Sequence, residues 1–322
     1  MKPVNAAAKA IVGAVMLQAL VAGAYAQSTN PVAAGNAEFD HAGILIPGQE
    51  WRVAADNMRS TDGPAVNQSG EIFFNDGRSG KTMKIALDGT ITEFVANSQH
   101  GAGQAFGPDG RLFAVAMGAN EIVAYDKEAK PTVIADGIYG NDLVVAANGG
   151  VYVTESPKPA TPDSGKLWYI NPQGEKKIVD KGVKFYNGLT LSPDQSALYA
   201  GDYRGHWVYS YRIGADGSLA DKKEFCDLYV PVQAKDSAAD GMRADEDGRV
   251  YVTTRSGIQV CDQYGEIVAI IRTPSGRVSN LSFGGANFDV LYATCGDKVY
   301  MRTVNAKGAL PFEAPIKTAK KP

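Results

Sequence analysis

The sequence predicts an all-β fold: a six-bladed β-propeller whose N-terminal strand closes the last blade. Three observations predict it. One strand-and-turn pattern recurs six times along the 322 residues. Glycine is abundant, at 36 residues, and falls between short apolar runs. Apolar residues spaced for one face of a helix are scarce.

The repeats decide the architecture. Each begins with a Gly or Asp turn and a short apolar strand: SGEIFFND (69–76), DGRLFAVA (109–116), NGGVYVTE (148–155), DQSALYAGD (194–202), DGRVYVTT (247–254) and FDVLYATC (288–295). Anchors at Ile72, Leu112, Val151, Leu198, Val250 and Leu291 lie 40, 39, 47, 52 and 41 residues apart. Several strands in such a period make a propeller blade. A further run follows every anchor, and another follows five of them. The sixth repeat lacks it. WRVAADN (51–57) resembles ITEFVAN (91–97), so the N-terminal strand is expected to complete the last blade and remove an exposed edge.

Composition bounds the rest. With 44% hydrophobic residues and net charge −3, the chain has ordinary globular composition. Neither a basic patch nor an excess of positive charge points to nucleic acid. The first 26 residues read as a secretory signal: Lys2 and Lys9, an apolar stretch from Ala10 to Gly23, then Ala24-Tyr25-Ala26 as a cleavage site. That stretch is short for a membrane span, which argues against an uncleaved anchor. The expected plan is signal 1–26, lead-in 27–49, propeller 50–305 and C-terminal tail 306–322, in a periplasmic or secreted protein without stable membrane insertion. Cys226, Cys261 and Cys295 are too few for a disulfide framework. Buried free thiols are the preferred reading, with one bridge as the alternative.

The innermost strand of each blade lines the channel. Counting back 10 or 11 residues from each anchor lands on Asp62, Ala102, Asn141, Asn187, Asp240 and Asn280. Five of the six are Asp or Asn, so their side chains are expected to converge at one mouth. Carboxylate and amide oxygens are ligands for hard cations. Asp-Gly and Asn-Gly are also ordinary turn pairs, which is the plainer account of any single position.

The stretches STDGPAVNQSGEIFFND, GNDLVVAANGGVYVTE, FYNGLTLSPDQSALYAGD and AADGMRADEDGRVYVTT resemble the senescence-marker-protein (regucalcin) and gluconolactonase family of six-bladed propellers, over residues 50–305. The resemblance implies a divalent metal ion held by Asp62, Asn187 and Asp240, with calcium foremost and magnesium, manganese or zinc as alternatives. It implies Asp240 as general base and Asn141 beside the metal, contacting substrate or metal-bound water. The implied activity is hydrolysis of a small-molecule sugar lactone or similar ester. Two positions depart from the family. Asp62 stands where Glu is usual, and Tyr139 stands where sugar lactonases carry Arg.

Further candidates are weaker. His100, two residues before Ala102, is a candidate substrate contact and proton shuttle, or a plain loop histidine. Tyr139, Tyr186 and Tyr203 are candidates for an aromatic wall against a sugar face. The absence of a Gly-x-Ser-x-Gly motif argues against Ser-His-Asp catalysis. The competing reading is a non-catalytic periplasmic propeller, with a structural metal and a channel that binds a sugar or protein.

Overall fold

The computed structural model describes residues 38–317, except 158, 160, 162 and 163. The signal segment, the lead-in up to residue 37 and the tail beyond residue 317 lie outside the described residues.

Every regular element among the described residues is a β-strand, and the strands form six antiparallel sheets. Blades 1 to 4 occupy residues 61–95, 101–135, 140–183 and 186–227. Blade 5 runs from 242 to 271 and blade 6 from 280 to 303. The inner strands are Thr61–Val66, Gly101–Phe106, Gly140–Val145, Tyr186–Leu191, Met242–Ala244 and Asn280–Gly284. Each packs against the inner strands of its two neighbours, and the first packs against the last. The result is the predicted six-bladed propeller.

Burial follows position in the blade. Second strands such as Ile72–Asp76 and Val250–Thr254 are buried at every residue, because neighbouring blades cover both faces. This explains their unbroken apolar runs. Outer strands such as Pro131–Ala135 are largely exposed and mix polar with apolar residues. The hairpin turns share one device. In the first, the Asn67 side-chain oxygen accepts hydrogen bonds from the Ser69 and Glu71 amides, at 3.0 Å each. Gly70 then adopts φ +84°, a left-handed conformation that glycine tolerates without penalty.

The ring closes as expected. Arg52–Ala55 pairs antiparallel with the last strand, Lys298–Thr303, with Arg52 opposite Met301. The preceding residues also join the ring. Phe39–Asp40 adds a fifth strand to blade 5 by pairing with Ile267–Ile271. Trp51 is fully buried and donates its indole N–H to the Arg272 carbonyl at 2.7 Å. Ile44 is fully buried beside it in one apolar cluster.

The cysteines correct the preferred reading. Cys226, on the outer strand of blade 4, is bonded to Cys261, on the third strand of blade 5. The pair is 35 residues apart in sequence, but the two strands meet where the blades pack. Cys295 remains a free, buried thiol, and burial pushes it up to about 11.

The C-terminal segment crosses the face of the ring away from the site described below. Ala309 donates its amide to the Ala244 carbonyl, and Ile316 donates to Pro193. Leu310, Pro311 and Phe312 line the small cavity at that end of the channel.

Two outcomes follow. Thiol titration of the denatured oxidised protein should find the one free cysteine, and reduction should reveal all three. Replacing Trp51 with Ala should destabilise the protein by about 3–5 kcal/mol in urea unfolding, the usual effect of emptying a large buried site.

Candidate functional site

Inner strands meet the channel through an irregularity. In blades 1 to 4 the pairing register shifts between Asp62 and Ala65, Gly101 and Gln104, Gly140 and Leu143, and Tyr186 and Leu189. Such bulges turn two consecutive residues toward the axis instead of one. The channel therefore carries two stacked levels near its mouth.

Strand register assigns the upper level to Asp62, Ala102, Asn141, Asn187, Asp240 and Ser279. This corrects one expectation. Asn280 sits one level deeper, and Ser279 takes its place. The first hairpin of blade 6 is extended by one cross-strand pair, Gly284 with Val290, beyond the pair Phe283 with Leu291, so a fixed count from Leu291 falls one short. The Ser279 hydroxyl donates to the Thr61 carbonyl at 3.1 Å and ties blade 6 to blade 1.

The lower level holds Gly63, Gly103, Asp142, Gly188, Gly241 and Asn280. Its glycines are required by close approach. A methyl on Gly103 would lie 2.0 Å from an Asp142 carboxylate oxygen, and one on Gly188 would lie 2.0 Å from the Asp240 carbonyl. Asp142 and Asn280 come from opposite blades. The Asn280 amide donates to Asp142 Oδ2 at 3.2 Å, which spans the axis and floors the chamber.

Above that floor is a cavity with a water-accessible volume of about 420 Å³. Asp62, Asn187 and Asp240 line it, together with Asn141 and Tyr139. Five of the six residues expected at the site are thus brought together. His100 does not line the cavity. It is exposed between blades 1 and 2, with Nδ1 3.2 Å from the Gly77 carbonyl oxygen. Tyr203 lines the chamber, as an aromatic wall requires, but Tyr186 does not. The Tyr186 ring is fully buried inside blade 4, with its hydroxyl bonded to Asp180 and Tyr211.

The electrostatics are dominated by carboxylates without enough counter-charge. Burial pushes the Asp240 carboxyl well up, and the charges of Asp62 and Asp142 push it further; Arg277 and the Asn187 amide offset part of this. Burial raises Asp62, against a 2.8 Å hydrogen bond from the Gly63 amide. Asp142, 1% exposed, is raised by burial to about 6. Arg243 lies beneath them and donates to the Met242 and Pro64 carbonyls, at 2.7 and 3.0 Å. One buried guanidinium balances at most one of three carboxylates.

A hard divalent cation fits this arrangement. Among the described residues no three His, Cys, Asp or Glu side chains form a ready-made ligand cluster. The candidate set is two carboxylates and an amide, Asp62, Asp240 and Asn187, all oxygen donors on one cavity. A cation there would relieve the repulsion that raises Asp240.

Sequence reasoning missed Asp142 and Arg243. Asp142 follows Asn141 directly, and a count of one channel-facing residue per strand omits it. Arg243 sits between Met242 and Ala244 on its strand, and nothing local in the sequence marks it.

Comparison with known proteins follows the same lines. Residues 61–297 match the family described as the SMP-30/Gluconolactonase/LRE-like region. The chain is 25% identical to the gluconolactonase of Zymomonas mobilis subsp. mobilis over 296 residues, 81% of this chain and 83% of that protein. Its fold matches XC5397 from Xanthomonas campestris, described as a gluconolactonase, with TM-score 0.74 and 23% identity, covering 86% of this chain and 98% of that one. It also matches a calcium-binding regucalcin from Agrobacterium tumefaciens, with TM-score 0.69 and 16% identity, covering 87% and 98%. At these identities the structural matches establish the fold.

The site yields two predictions. Folded Asp142 binds its proton more tightly than the unfolded chain does, so the stability it lends is present below pH 3.8 and is lost as pH rises through about 6. Metal-free protein should therefore melt at a higher temperature at acidic than at neutral pH by scanning calorimetry, and Asp142→Asn should reduce that difference, leaving the share of the raised Asp62 and Asp240 carboxyls. Gly103→Ala should destabilise by about 1–3 kcal/mol in urea, because its methyl collides with the Asp142 carboxylate.

Proposed function

The chain belongs to the SMP-30/gluconolactonase/LRE-like family, and from that premise we propose that it hydrolyses a sugar lactone or similar ester with a divalent cation, calcium foremost, held by Asp62, Asn187 and Asp240. One observation carries the reading. Strand register sets these donors and Asn141 on one level, and all four line one chamber. The lactonase relative and the calcium-binding structural neighbour support it. Asp62 is a shorter ligand than the Glu usual in the family, and its carboxylate stands on the chamber wall with Asp240.

The reaction divides among the chain's own groups. When bound, the cation supplies charge stabilisation for the carbonyl oxygen as it becomes an oxyanion. Asp240 takes a proton from the attacking water as the new carbon–oxygen bond forms. The ring carbon–oxygen bond then breaks, and the proton passes to the departing ring oxygen, giving the open hydroxy acid. Asn141 orients the water or the lactone through its amide. Tyr139, Phe185 and Tyr203 present aromatic surface to the substrate. The Asp142–Asn280 floor holds the substrate at the level of the donors.

We place the protein outside the cytoplasm, on the secretory segment at residues 1–26. A disulfide between blades 4 and 5 accords with an oxidising compartment. No helix among the described residues is long and apolar enough to cross a membrane.

The test is lactone hydrolysis followed by pH-stat, on protein stripped of metal and titrated with calcium, magnesium, manganese or zinc. Turnover should appear with metal. Asp240→Asn should lower kcat by about 10²–10⁴-fold, the range for a lost general base, while circular dichroism stays unchanged. Asn141→Ala should lower kcat with cation affinity retained by titration calorimetry. Cation binding without turnover on any lactone would favour the non-catalytic propeller instead.

A further inference from the structure

Among the described residues lining the chamber, Arg204 is the one cation. It comes from the turn between the second and third strands of blade 4. That turn is fixed: the Arg204 amide donates to the Asp202 carboxylate at 3.0 Å, and the Tyr203 amide donates to the Phe185 carbonyl at 2.9 Å. The guanidinium rests against two aromatic rings that also line the chamber, 5.2 Å from the Tyr203 centroid and 5.9 Å from Phe185. Its acidic neighbour is already engaged. Asp236 Oδ1 accepts two hydrogen bonds from Arg255, at 2.9 and 2.8 Å, while Arg204 lies 3.7 Å from Oδ2, beyond hydrogen-bond reach. The Arg204 side chain is 46% exposed. The guanidinium is thus held on the chamber wall by two rings and a loose ion pair with Asp236, and it makes no direct hydrogen bond to that carboxylate.

We propose that Arg204 is a specificity-determining residue that reads a carboxylate on the substrate, so that the lactone taken by this chamber is an acidic one. The inference rests on the lactone-hydrolase reading of the same cavity and names its substrate class. Tyr139 offers no charge on its side of the chamber. A guanidinium fork matches a carboxylate through two parallel hydrogen bonds, whereas a hydroxyl gains little from its charge. Arg277 is the alternative cation at the mouth. Its field reaches Asp62 and Asp240, but it is exposed on the blade 6 loop and does not line the chamber.

Two sugars of the same ring shape test this without turnover. D-glucuronate and D-glucose are titrated calorimetrically into the calcium-loaded protein. The wild type should bind D-glucuronate at least about tenfold more tightly, the worth of one charge-assisted pair. Arg204→Met should abolish the preference, Arg204→Lys should keep part of it, and Arg277→Met should leave it intact. In parallel, Arg204→Met should raise KM for D-glucarolactone about tenfold, with D-gluconolactone nearly unchanged. No wild-type preference, a preference that survives Arg204→Met, or equal weakening of both sugars would overturn the proposal. Failure of the hydrolase reading is distinct: the binding preference would stand with no lactone turned over.

Discussion

Six strands cannot all approach one axis while carrying full side chains. The lower level of the channel meets this constraint with four glycines, Gly63, Gly103, Gly188 and Gly241, and the space they release is taken by neighbours. Asp142 packs where a Gly103 side chain would stand, and Asn280 packs where a Gly241 side chain would stand. The ring can therefore close tightly and still keep two polar groups at its centre. Their mutual hydrogen bond satisfies both and sets the depth of the chamber. The residues proposed as cation ligands, Asp62, Asn187 and Asp240, sit one residue above that level.

That arrangement also explains the electrostatics. Convergence of the inner strands brings Asp62, Asp142 and Asp240 close together, so their charges repel one another at the base of the chamber. A protein gains no stability from such a cluster. Under the proposed function, the charge that one buried arginine leaves unbalanced is what a bound cation would offset. Carboxylates kept close together attract a small hard cation more strongly than any of them does alone.

The fold was legible because its period is long and its turns are marked. Six anchors at near-regular spacing, each preceded by a Gly or Asp turn, identified the blades, and WRVAADN identified the closing strand. Most of the site was legible for the same reason: Asp62, Asn141, Asn187 and Asp240 share one register. What escaped depends on geometry that spacing does not encode. A bulge adds a second channel-facing residue, which hid Asp142. One extra cross-strand pair in the first hairpin of blade 6 displaces the count from Ser279 to Asn280. Tyr186 looked like a wall residue beside Asn187, but alternation along a strand turns it into the blade, where its hydroxyl meets Tyr211. Cys226 and Cys261 pair across a blade boundary, and no local pattern announces such a meeting.

The bond between Asp142 and Asn280 has a consequence for traffic. With that level stitched across and Leu310, Pro311 and Phe312 lining the opposite end, the channel is not a tunnel but a cup. Whatever enters must leave by the same rim. Under the proposed hydrolysis, an open-chain acid would carry a new carboxylate past the Asp62 and Asp240 side chains that line the chamber. Under that reaction, each departing molecule would have to clear the single rim before its successor could enter.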